Sequence, residues 1–374
     1  MSTPKSEKNH EKQFSRRNFL RLSGVAAAGL LVEGCKSKET AKKEEKASSA
    51  GTGQKYQAAI GKVDSYERDA VDKAVTDLVN RLGGLKDIVK PDSKVAIKVN
   101  CTGGVSSGLV PGYSAIESFI THPEVVRALI RLVQEAGATD ISIVEAVYEW
   151  ESYTAWGFET VAKEMNVKLV DLNDVKPYDD FVETPVPNSF IYPSFKVNKI
   201  LQDVDVFMSV SKMKNHYNAG VTHTMKNLYG LAPLQFYRFN KSDSYRSGFH
   251  GTADQTRSRL PRVIIDINRI RPIHFSLIDG IKTAEAGEGP WIDTFTPVQP
   301  GVLVAGKNPV ATDAVATAVM GHDPTADYPT EPFIRCDNHL NLAAAAGMGT
   351  NKLDEIEVLG VSIEKAKYQF TPAR

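Results

Sequence analysis

The segment from residue 204 to residue 230 constrains the fold of this 374-residue chain more than any other. A mostly apolar run from Val204 to Val210 has the composition of a buried strand, and a polar, glycine-containing stretch follows it. Because side chains two residues apart on a strand share a face, we expect Lys212 and Lys214 to project together. A short helix is predicted next, capped by Thr222 or Thr224, with its first N–H groups facing the same pocket. The segment therefore predicts an anion site, although a solvated loop with two surface lysines also fits it.

Strand and helix patterns alternate on both sides of this segment. Strands are predicted at residues 94–100, 140–146, 167–172, 274–278, 302–305 and 356–359, and helices at 66–85, 123–136, 156–165, 260–270 and 340–346 and after Asn308. This alternation predicts an α/β fold with a mostly parallel sheet and flanking helices. The chain is long enough for one large core or for two subdomains. Residues 174–195 are expected to form an irregular excursion with a hairpin, and residues 235–258 a long loop of the kind that is often functional.

Polar side chains stand at the ends of four predicted strands. In parallel α/β sheets, ligands bind beyond the carboxyl ends of the strands, so these side chains share one rim if the strands are parallel neighbours. The alternative is that strand ends are polar only because they meet water. The catalytic candidates are Lys212, Lys214, His216 and Asp279. The substrate-binding candidates are Lys98, Asn100, Glu145, Thr222, Lys226, Asn227 and His250.

The central segment also resembles a known family. Lys-x-Lys-x-His from Lys212, followed by Thr-x-x-x-Lys-Asn-x-x-Gly from Thr222, resembles the domain of unknown function 362. Further motifs fall in the family's order over roughly residues 94–322: Ile97-Lys-Val-Asn100, His250-Gly251, Ile278-Asp-Gly280, Gly287-Glu-Gly-Pro290 and Asn308-Pro-Val-Ala-Thr-Asp313. The family tends to have Glu-Gly-x-Gly-Pro before Trp291. Here Ala286 takes the place of that Glu, with Glu285 and Glu288 beside it. The resemblance implies a fold and candidate residues, but no reaction.

The histidines raise the question of a divalent metal. His216, His223 and His250 together with Asp279 or Glu285 have the chemistry of ligands, but their spacing matches no closed site. A hydrogen-bonding or structural role for each histidine is the preferred alternative, and no metal ligand is assigned.

The three cysteines, Cys35, Cys101 and Cys336, restrict the other cofactors and the nucleophiles. An iron–sulfur cluster needs about four thiolates, so the count argues against one. A Cys101–Cys336 disulfide is permitted outside the cytoplasm. No nucleophile stands out, because the chain has no Gly-x-Ser-x-Gly elbow and Cys101 has no identifiable histidine partner.

The first 35 residues have the composition of a targeting segment. Ser15-Arg-Arg-Asn-Phe-Leu-Arg21 resembles a twin-arginine export signal, and the weakly apolar run from 22 to 32 is too short to span a bilayer. Val32-Glu-Gly-Cys35 resembles a lipoprotein cleavage box, with Glu33 as a departure from it. We therefore expect export through the twin-arginine machinery and anchoring on the periplasmic side, by a lipidated Cys35 or by the signal itself. Residues 36–60 are predicted to be a flexible tether and residues 61–374 the α/β domain.

The balance of charge bears on the class of ligand. Lys and Arg together number 45, as do Asp and Glu, and nucleic-acid-binding proteins usually carry a basic excess. The sequence thus indicates an exported, tethered protein that binds a small carboxylate or phosphate compound. In an enzyme of this kind, the four candidate lysines would hold the anion and Asp279 or a histidine would move protons. The alternative is a non-catalytic lipoprotein that binds or delivers a ligand or cofactor.

Overall fold

The structure, a computed structural model, describes residues 55–374. The twin-arginine-like motif, the apolar run, Cys35 and residues 36–54 of the expected tether lie outside the described residues. Within residues 55–374, no helix has the length and the apolar character needed to cross a membrane.

Strands and helices alternate along the described chain. The strands are β1 Tyr56–Lys62, β2 Lys94–Lys98, β3 Asp140–Glu145, β4 Lys168–Asp171, β5 Phe181–Pro185, β6 Ser194–Asn198, β7 Val206–His216, β8 Gly220–Val221, β9 Phe275–Glu285, β10 Thr296–Val298, β11 Val302–Gly306 and β12 Ile356–Gly360. The α-helices are α1 Arg68–Arg81, α2 Pro123–Glu135, α3 Glu151–Ala155, α4 Phe158–Met165, α5 Ile200–Asp203, α6 His223–Asn227, α7 Ser247–His250, α8 Thr256–Ile270, α9 Pro309–Val319, α10 His339–Ala345 and α11 Ile363–Ala366.

The main sheet is mixed but mostly parallel, which confirms the predicted fold class. Its strand order is β12-β1-β11-β9-β7-β2-β3-β4, with β10 added to β9 and β8 added to β7. Strands β9, β7, β2, β3 and β4 run parallel to one another, and β12 runs parallel to β1, whereas β11 is antiparallel to both β1 and β9. Strands β5 and β6 form the separate hairpin expected near residues 174–195.

Helices cover both faces of the sheet because its central strands are apolar on both sides. Val95 and Ile97 of β2 belong to the core that includes α1, α2 and α4, whereas Ala96 belongs to the opposite core with α8. A third apolar cluster joins α9 to β1 and β11. The described residues belong to one compact unit.

The structure corrects the predicted boundary between the tether and the α/β domain. Residues 56–60 were predicted to be part of the tether, but they lie in β1, between β11 and β12. The sheet buries Ala58, Ala59 and Ile60 completely or nearly so. The prediction was wrong because this stretch is rich in Ala and Gly, which also suit a flexible tether. Cys101 and Cys336 are both buried and free, so the permitted disulfide is not formed.

Candidate functional site

The carboxyl ends of β9, β7, β2 and β3 lie side by side at one edge of the sheet. These four strands are parallel neighbours, as the prediction of a common rim requires, but β9 continues to Glu285, so Asp279 lies within this strand and not at its end. The side chains on that rim nevertheless fall into two groups with different surroundings.

The first group is a buried ion pair between Lys212 and Asp279. Lys212 Nζ lies 2.8 Å from Asp279 Oδ2, and it also donates to the hydroxyl of Tyr66 and the carbonyl of Ile116, each at 2.9 Å. Asp279 accepts three further hydrogen bonds, from Tyr66 Oη at 2.7 Å and from the backbone N–H groups of His122 at 3.0 Å and Ile281 at 3.2 Å. Neither side chain of the pair is exposed, and burial lowers the pKa of Lys212. Each charge of this pair is therefore compensated by the other.

Lys212 and Lys214 do not share the anion site that their spacing predicted. A register shift between β7 and β9 lies between them: Lys212 pairs with Asp279, whereas Lys214 pairs with Ala284. Lys214 lines a cavity at the rim, and neither Lys212 nor Asp279 does. The expectation that both lysines serve one pocket is therefore wrong, because an irregularity in the neighbouring strand separates two side chains of one face.

The second group surrounds that cavity, which we call the inner pocket and which has a volume of about 50 Å³. The candidates that line it are Lys98, Asn100, Glu145, Lys214, His216, Thr222, Lys226 and Asn227. Residues that the sequence did not single out as site residues also line it, among them Cys101, Tyr148, Tyr229, Arg246 and Glu288. The Lys-x-His and Thr-x-x-x-Lys-Asn-x-x-Gly parts of the central motif thus converge on one cavity.

A hydrogen-bonded network of β2 and β3 side chains forms one wall of the inner pocket. Lys98 Nζ donates to Glu145 Oε2 at 2.8 Å and to the carbonyl of Val99 at 2.7 Å. Glu145 Oε2 also accepts from the backbone N–H of Cys101 at 3.0 Å. A Cβ atom at Gly230 would stand 2.0 Å from Glu145 Oε1 and 2.8 Å from Lys98 Nζ, so only glycine fits beside the pair. The charge of Lys98 is therefore compensated.

Among the described residues, no carboxylate lies within hydrogen-bonding reach of Lys214 or Lys226. Lys214 Nζ donates to the carbonyls of Phe119 at 2.7 Å and Glu288 at 2.9 Å. Lys226 Nζ has no hydrogen-bond or ion-pair partner within residues 55–374, and it lies 4.1 Å from the centre of the Tyr229 ring. Burial lowers the pKa of each lysine to about 7; the Glu288 carboxylate opposes the shift, and nearby basic groups add to it. Both amines therefore change charge near neutral pH.

Arg246 completes the basic lining of the inner pocket. Its guanidinium is buried, donates to the carbonyls of Ala232 and Ala146, and lies 5.8 Å and 5.5 Å from the ring centres of Tyr148 and Tyr229. Sequence reasoning missed Arg246 because it lies in the aperiodic stretch 235–258. The one available signal was an arginine among aromatic residues in a long loop that had been interpreted as functional.

The other titratable groups of the pocket are Glu288 and two histidines. Glu288 accepts hydrogen bonds from the backbone N–H of Tyr217 at 2.9 Å and from Trp291 Nε1 at 3.3 Å. Burial, together with the charge of Lys226, lowers the pKa of His216 well below its usual value and that of His250 to about 4. Both imidazoles are therefore neutral at neutral pH.

The N-terminus of α6 does not supply the free N–H groups that the sequence predicted. The backbone N–H groups of Thr224 and Met225 donate to the carboxyl of Asp313 at 3.0 and 2.9 Å. Thr222 occupies the N-cap position without a capping hydrogen bond, and its buried hydroxyl has no partner in the described part of the chain. Burial raises the pKa of Asp313 to about 7 despite these hydrogen bonds. Asp313 of α9 thus occupies the position that an anion was expected to take.

The inner pocket adjoins a much larger cavity of about 1010 Å³, which we call the outer cleft. Thr102, Tyr148, His216, Lys226, Tyr229 and Glu288 line both cavities. His250, a predicted binding residue, lines only the outer cleft, where its ring stacks edge-on against Tyr229 and Tyr245.

The residues considered as metal ligands are dispersed. His223 Nε2 lies 3.1 Å from Met320 Sδ, Glu285 accepts from the backbone N–H of Thr371 at 2.8 Å, and Asp279 is paired with Lys212. In the part of the chain that the structure describes, no three His, Cys, Asp or Glu side chains are arranged to hold a metal ion.

Comparison with known proteins identifies relatives of the chain. A family model described as domain of unknown function (DUF362) matches residues 95–318, a range that contains every residue named above for either cavity. A thylakoid-associated protein of Synechocystis sp. is 26% identical over 268 residues, which are 71% of this chain and 74% of that protein.

Solved structures show weaker similarity. The lactate racemase apoprotein from Thermoanaerobacterium thermosaccharolyticum matches with a TM-score of 0.40 and 14% identity, over 72% of this chain and 57% of the other. A Thermotoga maritima protein from a structural genomics programme matches with a TM-score of 0.33 and 12% identity, over 63% and 54%. The chain thus spans little more than half the length of these two proteins.

Proposed function

The chain belongs to the family described as domain of unknown function (DUF362), and we propose that it is an exported, membrane-tethered protein whose inner pocket binds the anionic group of a small molecule. The export and tethering parts of this proposal rest on the twin-arginine-like motif and the cleavage-box-like sequence before Cys35. The binding part rests on the charges around the inner pocket.

The observation that carries the proposal is the amine of Lys226, which has no hydrogen-bond or ion-pair partner among residues 55–374 and lines both the inner pocket and the outer cleft. Four basic side chains, Lys98, Lys214, Lys226 and Arg246, line the inner pocket against two carboxylates, Glu145 and Glu288, so two positive charges remain when all six groups are ionised. An uncompensated buried charge costs several kcal/mol, and a bound anion would offset that cost.

The size of the inner pocket limits what enters it. A single water molecule needs at least about 10–15 Å³ of cavity volume in the same measure, so about 50 Å³ holds a group of roughly four heavy atoms. A carboxylate or phosphate group has this size. The rest of the molecule must then lie in the outer cleft.

The same lysines are suited to moving protons. A general base works best when its pKa lies near the working pH, and the pKa values of Lys214 and Lys226 are about 7. We therefore assign proton transfer in an enzyme of this kind to Lys226, in place of the earlier candidates. Asp279 lies outside the pocket, and the lowered pKa values of His216 and His250 make these imidazoles weak bases.

Binding without turnover is the second candidate function. It is favoured by the state of Glu145 and Glu288, because both carboxylates already accept hydrogen bonds from the protein. A pocket without a free carboxylate is well suited to hold an anion for delivery.

Thermal unfolding in sodium sulfate tests the anion site. Sulfate at 100 times its dissociation constant should stabilise the purified protein by about 2.7 kcal/mol, and the Lys226→Met variant should lose this stabilisation. Lys168→Met is a matched control, because Lys168 is 62% exposed and pairs with Asp140 on the surface. An equal response of the wild type and of Lys226→Met, or no response of the wild type to sulfate or phosphate, would exclude the proposed site.

A further inference from the structure

We propose that the molecule bound here carries a planar ring close to its anionic group, and that the ring lies against aromatic side chains of the outer cleft. This inference rests on the proposed anion site and specifies the class of ligand that the site takes. It is carried by the size, the lining and the packing of the outer cleft.

The two cavities differ so much in size that one small anionic group could fill the inner pocket but not the outer cleft. The outer cleft is about 1010 Å³ and the inner pocket about 50 Å³, and Lys226 stands where they meet. A ligand whose anion reaches Lys226 must therefore place its body in the outer cleft.

The walls of the outer cleft are rich in aromatic rings: Tyr148, Tyr217, Tyr229, Tyr245 and Trp291. Protein cations already lie over three of these rings. Lys226 lies over Tyr229 and Arg335 over Tyr217, each at 4.1 Å from the ring centre, and Arg246 lies over Tyr148 at 5.8 Å. Tyr245 and Trp291 are 47% and 42% exposed, so they keep surface available for contact with a ligand.

Trp291 is held as a platform by two glycines. A Cβ atom at Gly103 or Gly289 would lie 2.5 Å or 2.2 Å from an atom of the indole, so the ring lies directly on both backbones. The edge of the ring of Phe119 packs against it at 5.8 Å between centroids, and the indole N–H donates to Glu288. Because Trp291 is fixed and still partly exposed, stacking on it would cost little conformational entropy.

A polar group on the ligand body is also expected. Arg238 lines the outer cleft, and its buried Nε atom has no hydrogen-bond partner within residues 55–374. A buried donor without a partner is costly, so a hydrogen-bond acceptor on the body suits this wall.

Matched ligand pairs test the inference by isothermal titration calorimetry. Phenyl phosphate is compared with cyclohexyl phosphate, and benzoate with cyclohexanecarboxylate, so that each pair differs in the planar ring and the two pairs distinguish a phosphate head from a carboxylate head. An aromatic pair contributes beyond the area that it buries, and the aromatic member should bind about 2- to 13-fold more tightly in at least one pair.

The variants Tyr245→Leu and Trp291→Leu should each reduce the preference for the aromatic member. Tyr113→Leu is the matched control: Tyr113 is also 47% exposed but does not line the cleft, so its replacement should leave the preference unchanged. Equal binding within both pairs, or equal effects of Tyr245→Leu and Tyr113→Leu, would overturn the inference. If sulfate still binds in either case, only the proposal of a planar ring is refuted. If neither sulfate nor any of these four ligands binds, the proposed anion site is refuted as well.

Discussion

Separate replacement of Lys212 and Lys214 by Met should have very different effects on stability. The Lys212→Met variant leaves Asp279 fully buried with neutral donors, the hydroxyl of Tyr66 and the backbone N–H groups of His122 and Ile281. Removing one partner of a buried ion pair typically costs about 3–5 kcal/mol. We therefore expect this loss in the free energy of unfolding of Lys212→Met.

The Lys214→Met variant removes a buried amine whose hydrogen-bond acceptors within residues 55–374 are two backbone carbonyls. Its pKa falls from 10.5 to about 7, and at 1.36 kcal/mol per unit this places the cost of its charge on the order of 5 kcal/mol. The carbonyls of Phe119 and Glu288 lose a donor, which costs about 1–3 kcal/mol each. These effects offset each other, so the net change should lie between a loss of about 1 and a gain of about 3 kcal/mol.

The lowered pKa of Lys214 also makes the stability of the fold depend on pH. Between pH 7 and pH 10.5 the unfolded chain binds the Lys214 proton and the folded chain does not, so this lysine makes stability rise with pH. Lys214→Met removes that contribution, up to about 1.4 kcal/mol per pH unit, and any advantage over the wild type should shrink from pH 6 to pH 9.

Urea unfolding of the purified full-length chain at pH 6, 7.5 and 9 measures these differences. Lys168→Met, on the surface, should stay within about 0.5 kcal/mol of the wild type. The reasoning is refuted if Lys212→Met is as stable as the wild type, or if Lys214→Met loses as much as Lys212→Met at pH 6.

Three further predictions concern the inner pocket and the targeting segment. Sulfate binding requires the charged forms of Lys214 and Lys226, whose pKa values are about 7. Calorimetry in two buffers should therefore show that the protein takes up protons on binding, and the affinity for sulfate should fall above pH 7 by up to about tenfold per pH unit for each amine. A constant affinity from pH 7 to 9 would contradict this. Gly230→Ala should destabilise the fold by about 1–3 kcal/mol in urea unfolding and weaken sulfate binding, because the new Cβ would overlap the Glu145 carboxylate. Unchanged stability and binding would refute this prediction. Changing Arg16 and Arg17 to Lys should leave precursor in the cytoplasm, and Cys35→Ser should release the protein from the membrane; fractionation measures both, and unchanged export or attachment would refute the respective prediction.

Elements of regular structure were predictable because their signals are local. The alternation of Val95, Ile97 and Val99 predicted β2, and Asn308 with Pro309 predicted the start of α9, where Asn308 Oδ1 accepts from the N–H of Ala311 at 3.0 Å. Polar residues after apolar strands likewise predicted the rim. Each of these inferences needs only neighbours in sequence and the rule that parallel strands end together.

Long-range partners were not predictable in the same way. Arg246 reaches the inner pocket from an aperiodic stretch, and Asp313 reaches α6 from a helix almost ninety residues later in the chain. The register shift opposite Lys214 depends on β9, which no pattern around β7 reveals. Contacts of this kind are set by how elements pack, and a single sequence records only the residues that take part in them.

The distinction between compensated and uncompensated charges then locates the site within the rim. Lys98 and Lys212 each meet a carboxylate at 2.8 Å, so their charges are accounted for by the fold. Lys214 and Lys226 are also buried but have no carboxylate within hydrogen-bonding reach in the described part of the chain, so the fold alone does not account for their charges. Because these two amines line the inner pocket, the cost that they impose is best explained by a bound anion that offsets it.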